Sequence, residues 1–178
     1  FADHKDHTEH GSWLCLPGRA LVRITIVAGN NAGLSDEKTL SFATRDAEQV
    51  YAVDVEEEML EAVRGRAVKA RLGNITTLKS NGSTLPLEPA CLDGALLSCV
   101  LHEAADRGAL LKGIVEAMKR GGWCAIIEWQ KAIEGEEGPP PEHRIAEEDV
   151  VQIAKDAGLR LSMRRDLNSY HYLLVFIK

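Results

Sequence analysis

The sequence predicts an α/β fold in which a mostly parallel sheet has helices on its faces and an antiparallel hairpin at its C-terminal end. Apolar, β-branched runs of strand length alternate with amphipathic runs of helix length, which is typical of a parallel sheet. The last two apolar runs are separated only by "NS", a spacing that allows a hairpin. A chain of 178 residues is expected to form one domain.

The composition is that of a globular protein, with 45% hydrophobic and 27% charged residues. The net charge of −6 gives no electrostatic reason to bind nucleic-acid phosphates or anionic lipid. No apolar run approaches the ~18 residues of a membrane span, and the polar N-terminus does not resemble a secretory signal. We therefore expect a small-molecule partner, with neither nucleic acid nor a membrane involved.

The four cysteines show no metal-ligand spacing and no C-x-x-C pair. Two of them lie inside the apolar runs "LLSCV" and "WCAII", where a reduced cysteine acts as a small hydrophobic residue. This pattern favours a reducing, cytoplasmic setting. An arsenic substrate would need several accessible thiols that converge on one ion, which these positions disfavour.

Residues 1–18 are predicted to be a lead-in, and residues 19–178 the single domain. The segment "FADHKDHTEHGS" has no apolar periodicity. His4, His7 and His10 recur at every third position, which either presents a metal site or belongs to a disordered segment. We assign no metal to the protein.

Each predicted element has its own signal. Strands are predicted at the apolar runs 19–28, 49–55, 74–80, 92–100, 123–129, 159–167 and 170–178, and helices near 35–46 and at 56–73, 106–122 and 146–158. Gly73 is expected to end the second helix, and a glycine pair the third. Three consecutive prolines exclude helix and central strand in the linker 132–144, which either covers a pocket or simply connects.

The stretch "ITIVAGNNAGLS" joins the first strand to the first helix. In sheets of this type, ligands bind at the carboxyl ends of the strands beside the first strand. Small residues after Ala28 let the backbone approach a ligand, and the following helix offers free amides. By these residues alone, the segment Gly29–Gly33 is either a nucleotide-binding loop or an ordinary turn between a strand and a helix.

Two further segments would lie at the same edge. Asp54 ends the second strand, 25 positions after Gly29, where a carboxylate can accept hydrogen bonds from ribose hydroxyls or cap the next helix. Asn81, Gly82 and Ser83 form a small polar loop after the third strand, which is either a ligand loop or a turn.

The segments "VYAVDVEEEMLEAV", "NGSTLPLEPACLDGALLSCVLHEAAD", "MKRGGWCAIIEW" and "GPPPEHRIAEEDVVQIAKDAGL" resemble the successive motifs of class I S-adenosylmethionine-dependent methyltransferases. The subgroup they most resemble is ubiquinone/menaquinone-biosynthesis-like or arsenite-methyltransferase-like. The resemblance covers roughly residues 50 to 178. It implies a Rossmann-like three-layer sandwich whose sheet has seven strands and a terminal hairpin, and it implies S-adenosylmethionine as cofactor.

The resemblance also implies roles for individual residues. The loop would face the methionine part of the cofactor, Asp54 would hold the ribose, and Ser98 would line the path near the sulfonium. The full set of implied cofactor contacts is Ala28, Gly29, Asn31, Gly33, Asp54, Val55, Asn81, Gly82 and Ser98, with Val55 flanking the adenine and Asn81 and Gly82 meeting its edge.

The chain departs from the family pattern in ways that weaken the expected grip on the cofactor. Asn31 replaces the middle glycine of the loop, although asparagine tolerates a positive φ. The first strand lacks the usual acid, and Asn81 stands where an acid contacts adenine. These departures leave an alternative open, in which the domain has lost catalysis and serves as a binding or interaction module.

Methyl transfer from a sulfonium is a displacement, so much of the catalysis can come from holding donor and acceptor in line. A hydroxyl or thiol acceptor would benefit from a base, and His102 with Glu103 are the predicted catalytic residues. The alternative for His102 is a structural residue with satisfied hydrogen bonds at the start of the next helix.

The acceptor pocket is predicted only in outline. Trp129 and Lys131 end the fifth strand near the same mouth, and Tyr170, His171 and Tyr172 begin the last strand. As strand residues, the two tyrosines would share one face and His171 the other. They shape the acceptor pocket or serve ordinary packing.

A nicotinamide-dependent oxidoreductase is a third reading, because its loop and acidic residue follow similar physics. The terminal hairpin and the lack of a separate substrate domain disfavour it. The sequence names neither the methyl acceptor nor the oligomeric state, so a homodimer stays open.

Overall fold

The computed structural model describes residues 22–28, 47–82, 84–132 and 138–178, and of residues 22–28 it describes the backbone alone. The predicted lead-in, the first predicted helix, Ser83 and the loop Gly29–Gly33 with Asn31 lie outside the described residues, as do His4, His7 and His10. The division into a lead-in 1–18 and a domain 19–178 stays a prediction.

The described strands form one seven-stranded sheet of order β3-β2-β1-β4-β5-β7-β6. The strands are β1 Val22–Ala28, β2 Ala47–Asp54, β3 Ile75–Lys79, β4 Leu92–Ser98, β5 Met118–Trp129, β6 Arg160–Asp166 and β7 His171–Ile177. Strands β1 to β5 pair in parallel, whereas β7 runs antiparallel to both β5 and β6. The predicted α/β Rossmann-like fold with its terminal hairpin is confirmed.

Three α-helices are described: α1 Glu57–Lys69, α2 Arg107–Ala117 and α3 Glu147–Asp156. Helix α1 carries acidic residues in its first turn and basic residues in its last, as the helix dipole favours. Helix α2 begins after Asp106, whose Oδ1 accepts the N–H of Ala109 at 2.8 Å and so caps the helix. A short 3-10 turn spans Pro141–His143.

The main core lies between the sheet and helices α2 and α3. It contains Leu111 and Ile114 from α2, Val150 and Ala154 from α3, and Ile126 from β5. A second cluster of buried residues joins Val50, Cys99 and Trp129. Residues at or near the carboxyl ends of β2, β4 and β5 therefore pack in one or other of these two clusters. This packing holds the backbone in place where the strands end.

The predicted end of the second helix was wrong, since α1 ends at Lys69 rather than at Gly73. Arg71 adopts the left-handed conformation, with φ of 56°. The N–H of Leu72 donates to the carbonyl of Ala67 at 2.9 Å, and that of Arg71 to Val68 at 3.1 Å. These bonds occupy the last carbonyls of the helix, as a Schellman-type ending does.

The third predicted helix also ends earlier, because α2 stops at Ala117 and the glycine pair lies inside β5. Met118 pairs with Leu92 of β4 and is fully buried. Gly121 donates its N–H to the carbonyl of Lys178, and Gly122 accepts from the N–H of Lys178, both at 3.0 Å. Burial of Met118 and these sheet bonds outweigh the local helical signal.

The terminal hairpin loop is longer than the predicted "NS", because β6 ends at Asp166 and β7 begins at His171. The side chain of Asn168 shapes this loop, since its Oδ1 accepts the N–H groups of Tyr170 at 2.8 Å and His171 at 2.9 Å. Asparagine commonly stabilises turns through such bonds to the backbone two residues on. Tyr170 consequently lies outside the strand.

Candidate functional site

Three of the predicted cofactor contacts end neighbouring strands of the sheet. Ala28 of β1 is in register with Ser98 of β4, and Val27 is in register with Val53, the residue before Asp54. Asp54 in turn lies opposite Lys79 of β3. Ala28, Asp54 and Ser98 therefore lie at the same carboxyl edge, where parallel sheets bind their ligands.

Asp54 is buried, with 7% of its surface exposed, and its two oxygens differ. Oδ1 accepts the N–H of Glu56 at 2.8 Å and so caps the turn into α1, whereas Oδ2 has no hydrogen-bond partner among the described residues. Burial raises the pKa of Asp54, and the N–H groups of Glu56 and Val55 offset part of this rise. An unpartnered buried carboxylate oxygen is costly, which makes Oδ2 a strong candidate for a ligand contact.

Val55 and Gly82 lie next to each other beside Asp54. Gly82 has φ of 81°, a conformation that favours glycine, and a Cβ added there would lie 3.7 Å from Cγ1 of Val55. Val55 is 48% exposed. The pair thus forms a small, partly apolar surface at the mouth of the site.

The loop after β3 is shaped by its own side chains. Oδ1 of Asn81 accepts the N–H of Thr84 at 2.9 Å and its hydroxyl at 3.1 Å. Ser80 Oγ donates to the carbonyl of Thr84 at 2.8 Å and accepts the N–H of Gly82 at 3.0 Å. The side-chain oxygen of Asn81 therefore already accepts two hydrogen bonds within the loop.

Ser98 is buried and is followed by Cys99, which adopts φ of 52°. A positive φ is unfavourable for a residue with a side chain. The N–H of Cys99 donates to the carbonyl of Ile127 at 2.8 Å, which holds the strained turn against β5. Burial, with the charge of Glu128 as a second cause, raises the pKa of the Cys99 thiol to about 12.

The two predicted catalytic residues lie in the loop that follows. The side chain of His102 is 3% exposed and that of Glu103 is 36% exposed, with His102 Nε2 3.8 Å from Glu103 Oε1. Nε2 has no hydrogen-bond partner among the described residues. Glu103 is thus the solvent-exposed member of the two, next to the buried ring of His102.

Sequence reasoning missed Glu128, the residue that holds His102. Glu128 is fully buried; its Oε1 accepts the backbone N–H of His102 at 3.1 Å, and its Oε2 lies 2.8 Å from Nδ1. The available signal was a single acid within the apolar run "WCAIIEW", since a buried charge needs a partner. Nothing in the sequence named that partner.

An aromatic group lies at the end of β5, on the face of the strand opposite to that of Glu128. The rings of Trp129 and His171 have centroids 4.1 Å apart, and the guanidinium of Arg144 lies 5.7 Å from the Trp129 ring. Arg144 is buried and donates to the carbonyls of Pro139 at 2.8 Å and Gln130 at 3.1 Å. Arg144 therefore holds the end of the Pro-rich linker next to the ring of Trp129.

The other residues predicted to line the acceptor pocket do not lie together. Tyr170 is 39% exposed, whereas Tyr172 is buried and donates its hydroxyl to the carbonyl of Ile145 at 2.9 Å. Lys131 is exposed. Tyr172 packs in the main core, so the two tyrosines do not form one wall.

Within the described ranges, no three His, Cys, Asp or Glu side chains are grouped to hold a metal ion. No helix in those ranges is long and apolar enough to cross a membrane. Cys91, Cys99 and Cys124 form no disulfide there.

Residues 31–126 match the model of a methyltransferase domain family. The match covers more than half of the chain. The chain belongs to this family. The resemblance to class I S-adenosylmethionine-dependent methyltransferases is thereby confirmed, with distant relatives of the quinone-biosynthesis type.

Curated relatives include the ubiquinone/menaquinone biosynthesis C-methyltransferases of Shewanella woodyi and Rhizobium leguminosarum. The first is 22% identical over 160 residues, which cover 88% of this chain and 59% of the relative. The second is 30% identical over 80 residues, which cover 44% of this chain and 31% of the relative. The chain thus spans less than two thirds of the curated relatives that it matches.

Solved structures share the fold. A methyltransferase from Aquifex aeolicus, described as SAM dependent, has a TM-score of 0.77 and 28% identity, with 89% of this chain and 85% of that chain covered. The [4+2]-cyclase SpnF has a TM-score of 0.74 at 15% identity, with 88% and 75% covered. The trans-methyltransferase CalH, solved in complex with SAH, has a TM-score of 0.68 at 14% identity, with 90% and 52% covered.

Proposed function

We propose that this methyltransferase-family protein binds S-adenosylmethionine and transfers its methyl group to a small-molecule acceptor. The observation that carries the proposal is Oδ2 of Asp54, a buried oxygen without a hydrogen-bond partner among the described residues, at the carboxyl end of β2. Ribose hydroxyls would supply the missing donors. The orphaned oxygen therefore fits the cofactor that the family uses.

The remaining contacts follow from the same edge of the sheet. Val55 and Gly82 would contact the adenine, Asn81 would shape the loop beside it, and Ser98 would lie near the sulfonium. Ala28 would lead into the segment Gly29–Gly33, whose backbone would face the methionine part. His102 is the proposed base, with Glu103 as its link to solvent.

S-adenosylmethionine supplies an electrophilic methyl group: the acceptor atom gains the methyl carbon, and sulfur keeps the electron pair of the broken C–S bond. The protein's own residues orient the acceptor, exclude water and take up a proton when the acceptor carries one.

The names of the curated relatives make a quinone precursor the first acceptor to test. We further propose a reducing, cytoplasmic setting.

Calorimetry with S-adenosylmethionine and S-adenosylhomocysteine tests the proposal. We expect saturable binding by the natural protein and binding at least ~10-fold weaker in Asp54→Ala, since a ribose contact would be lost. The matched control is Asp156→Ala, at an exposed carboxyl that accepts a hydrogen bond from Gln152 on the surface of α3. Absence of heat and of a thermal shift at millimolar ligand would refute the proposal.

The second candidate is a methyltransferase-fold module without catalysis, and Asn31 at the middle glycine position favours it. A protein of the same fold that is named as a [4+2]-cyclase illustrates that fold alone does not set the reaction. Asn31→Gly discriminates the two candidates. If glycine creates tight binding that the natural protein lacks, the loop has decayed, whereas equal binding makes Asn31 a tolerated variant.

A further inference from the structure

We propose that Glu128 is a positioning residue that fixes the tautomer of His102, so that Nε2 presents a lone pair to an acceptor that carries an exchangeable proton. The inference rests on the proposed function for its catalytic part. The part that concerns the tautomer of His102 depends only on the geometry of the ligand-free protein. It adds to the site a residue that the sequence did not identify.

The first step is the anchoring of the loop. Strand β5 holds the loop after β4 by three contacts from two consecutive residues: Ile127 accepts the N–H of Cys99, and Glu128 accepts the N–H of His102 and contacts its ring. The strained φ of Cys99 persists because these contacts determine the backbone path. His102 is therefore held at both its backbone and its side chain.

The second step is the assignment of the proton. Oε1 of Glu128 acts as an acceptor toward the backbone N–H of His102, and a carboxylate accepts at both oxygens. We infer that the 2.8 Å contact of Oε2 is a hydrogen bond donated by a proton on Nδ1. In a neutral imidazole, the other nitrogen is an acceptor, so Nε2 carries the lone pair.

The third step is the surroundings of Nε2. This atom is buried and has no hydrogen-bond partner among the described residues; among backbone groups, a buried donor without a partner is rarer than a buried acceptor without one. The charged groups that face the pair are Glu103, 3.8 Å from Nε2, and Arg107, which donates to the carbonyl of His102 at 3.4 Å. His171 and Tyr172, on β7, interact electrostatically with Glu128.

The arrangement specifies a class of acceptor. A group bearing an O–H, S–H, N–H or acidified C–H would release its proton to Nε2 as it forms its bond to the methyl carbon. His102 then becomes an imidazolium, and its charge is balanced by the buried carboxylate of Glu128. Glu103, at the edge of the site, would pass the proton to solvent. An acceptor without a proton to lose would need none of these groups.

The test begins with the tautomer in the ligand-free protein. Long-range ¹H–¹⁵N spectra of protein labelled at its six histidines, with His102 assigned from His102→Gln, report which ring nitrogen is protonated in the neutral form. We expect Nδ1–H. A neutral His102 protonated at Nε2 overturns the proposal, and this measurement needs no other variant to fold.

The second arm is Glu128→Gln, whose amide can donate to Nδ1 and so favour the Nε2–H form. We expect a tautomer shift and a fall of kcat by ~100-fold or more, with KM for S-adenosylmethionine unchanged. Glu148→Gln, at an exposed carboxyl paired with Arg164, is the control and should change neither. An unchanged tautomer with unchanged kcat overturns the proposal.

The two proposals fail separately. Failure to bind S-adenosylmethionine refutes the proposed function and leaves the tautomer result standing. Binding and turnover with His102 protonated at Nε2 refute the positioning role and leave the proposed function standing.

Discussion

Gly94 and Trp123 lie opposite each other on β4 and β5, and the indole of Trp123 covers the backbone of Gly94. The two residues are in register, and a Cβ added to Gly94 would lie 2.6 Å from Nε1 of Trp123 and closer still to two of the ring carbons. The aromatic ring therefore occupies the space that a side chain at position 94 would need, between two of the strands whose carboxyl ends form the site.

Gly94→Ala should destabilise the protein by about 1–3 kcal/mol, because the added methyl group forces the indole out of its position. Urea unfolding measures the change. Gly65→Ala is the matched control: Gly65 lies in α1 with no atom within 4 Å of an added Cβ, so alanine should stabilise by about 0.5–1 kcal/mol. Equal effects of the two substitutions would contradict the packing.

Arg71→Gly should stabilise the protein by about 0.5–1 kcal/mol, because glycine adopts the left-handed conformation without the cost that a side chain brings. Gly73→Ala should change the stability by less than about 0.5 kcal/mol, since Gly73 is exposed and has nothing near an added Cβ. If Gly73 ended the helix, the second substitution would be the costly one. Thermal and urea unfolding separate the two cases.

Asp54→Asn should raise the melting temperature of the ligand-free protein at neutral pH. Burial raises the pKa of Asp54 above 3.8, so its charged form is less favourable in the folded than in the unfolded chain. The stability that the protonated form contributes is present in acid and is lost as the pH rises through the folded-state pKa. The advantage of the asparagine variant should therefore shrink as the pH falls towards 3.8; a constant difference would contradict this origin.

Binding of S-adenosylhomocysteine should strengthen as the pH rises through the pKa of Asp54. Ribose hydroxyls that donate to Oδ2 stabilise the ionised carboxyl, so the pKa of Asp54 should fall in the complex and binding should release protons. Calorimetry in buffers of different ionisation enthalpy measures the release. Asp54→Asn should abolish the part of the pH dependence that Asp54 contributes, and proton release unchanged in that variant would exclude Asp54 as its source.

Cys99 and Cys124 should resist alkylation in the folded protein. Both are buried, and burial raises the pKa of each thiol to about 12, so almost no thiolate is present at a pH of about 8. Mass spectrometry after iodoacetamide should find both unmodified until the protein is unfolded in urea. Rapid modification of either thiol in the native protein would show that its side of the sheet opens readily.

Much of the fold was predictable because its signals are local. The alternation of apolar runs and helices predicted the sheet, and Asp54 was placed at the end of β2 from the run that precedes it. The ends of α1 and α2 were mispredicted, because contacts that the local sequence does not reveal end both helices before the glycines. Helix α1 ends through the hydrogen bonds around Arg71, and α2 ends where Met118 is buried in the core.

The sequence by itself determined the α/β class, the motif order of the methyltransferase family and the ends of the strands to within about two residues, because each depends on neighbours along the chain. Only the tertiary structure decided which of these residues meet. Glu128 and His102 are 26 positions apart, and they pair because β4 and β5 are parallel neighbours whose carboxyl ends lie at one edge of the sheet. Burial then makes the pairing obligatory, since a carboxylate removed from water needs a donor.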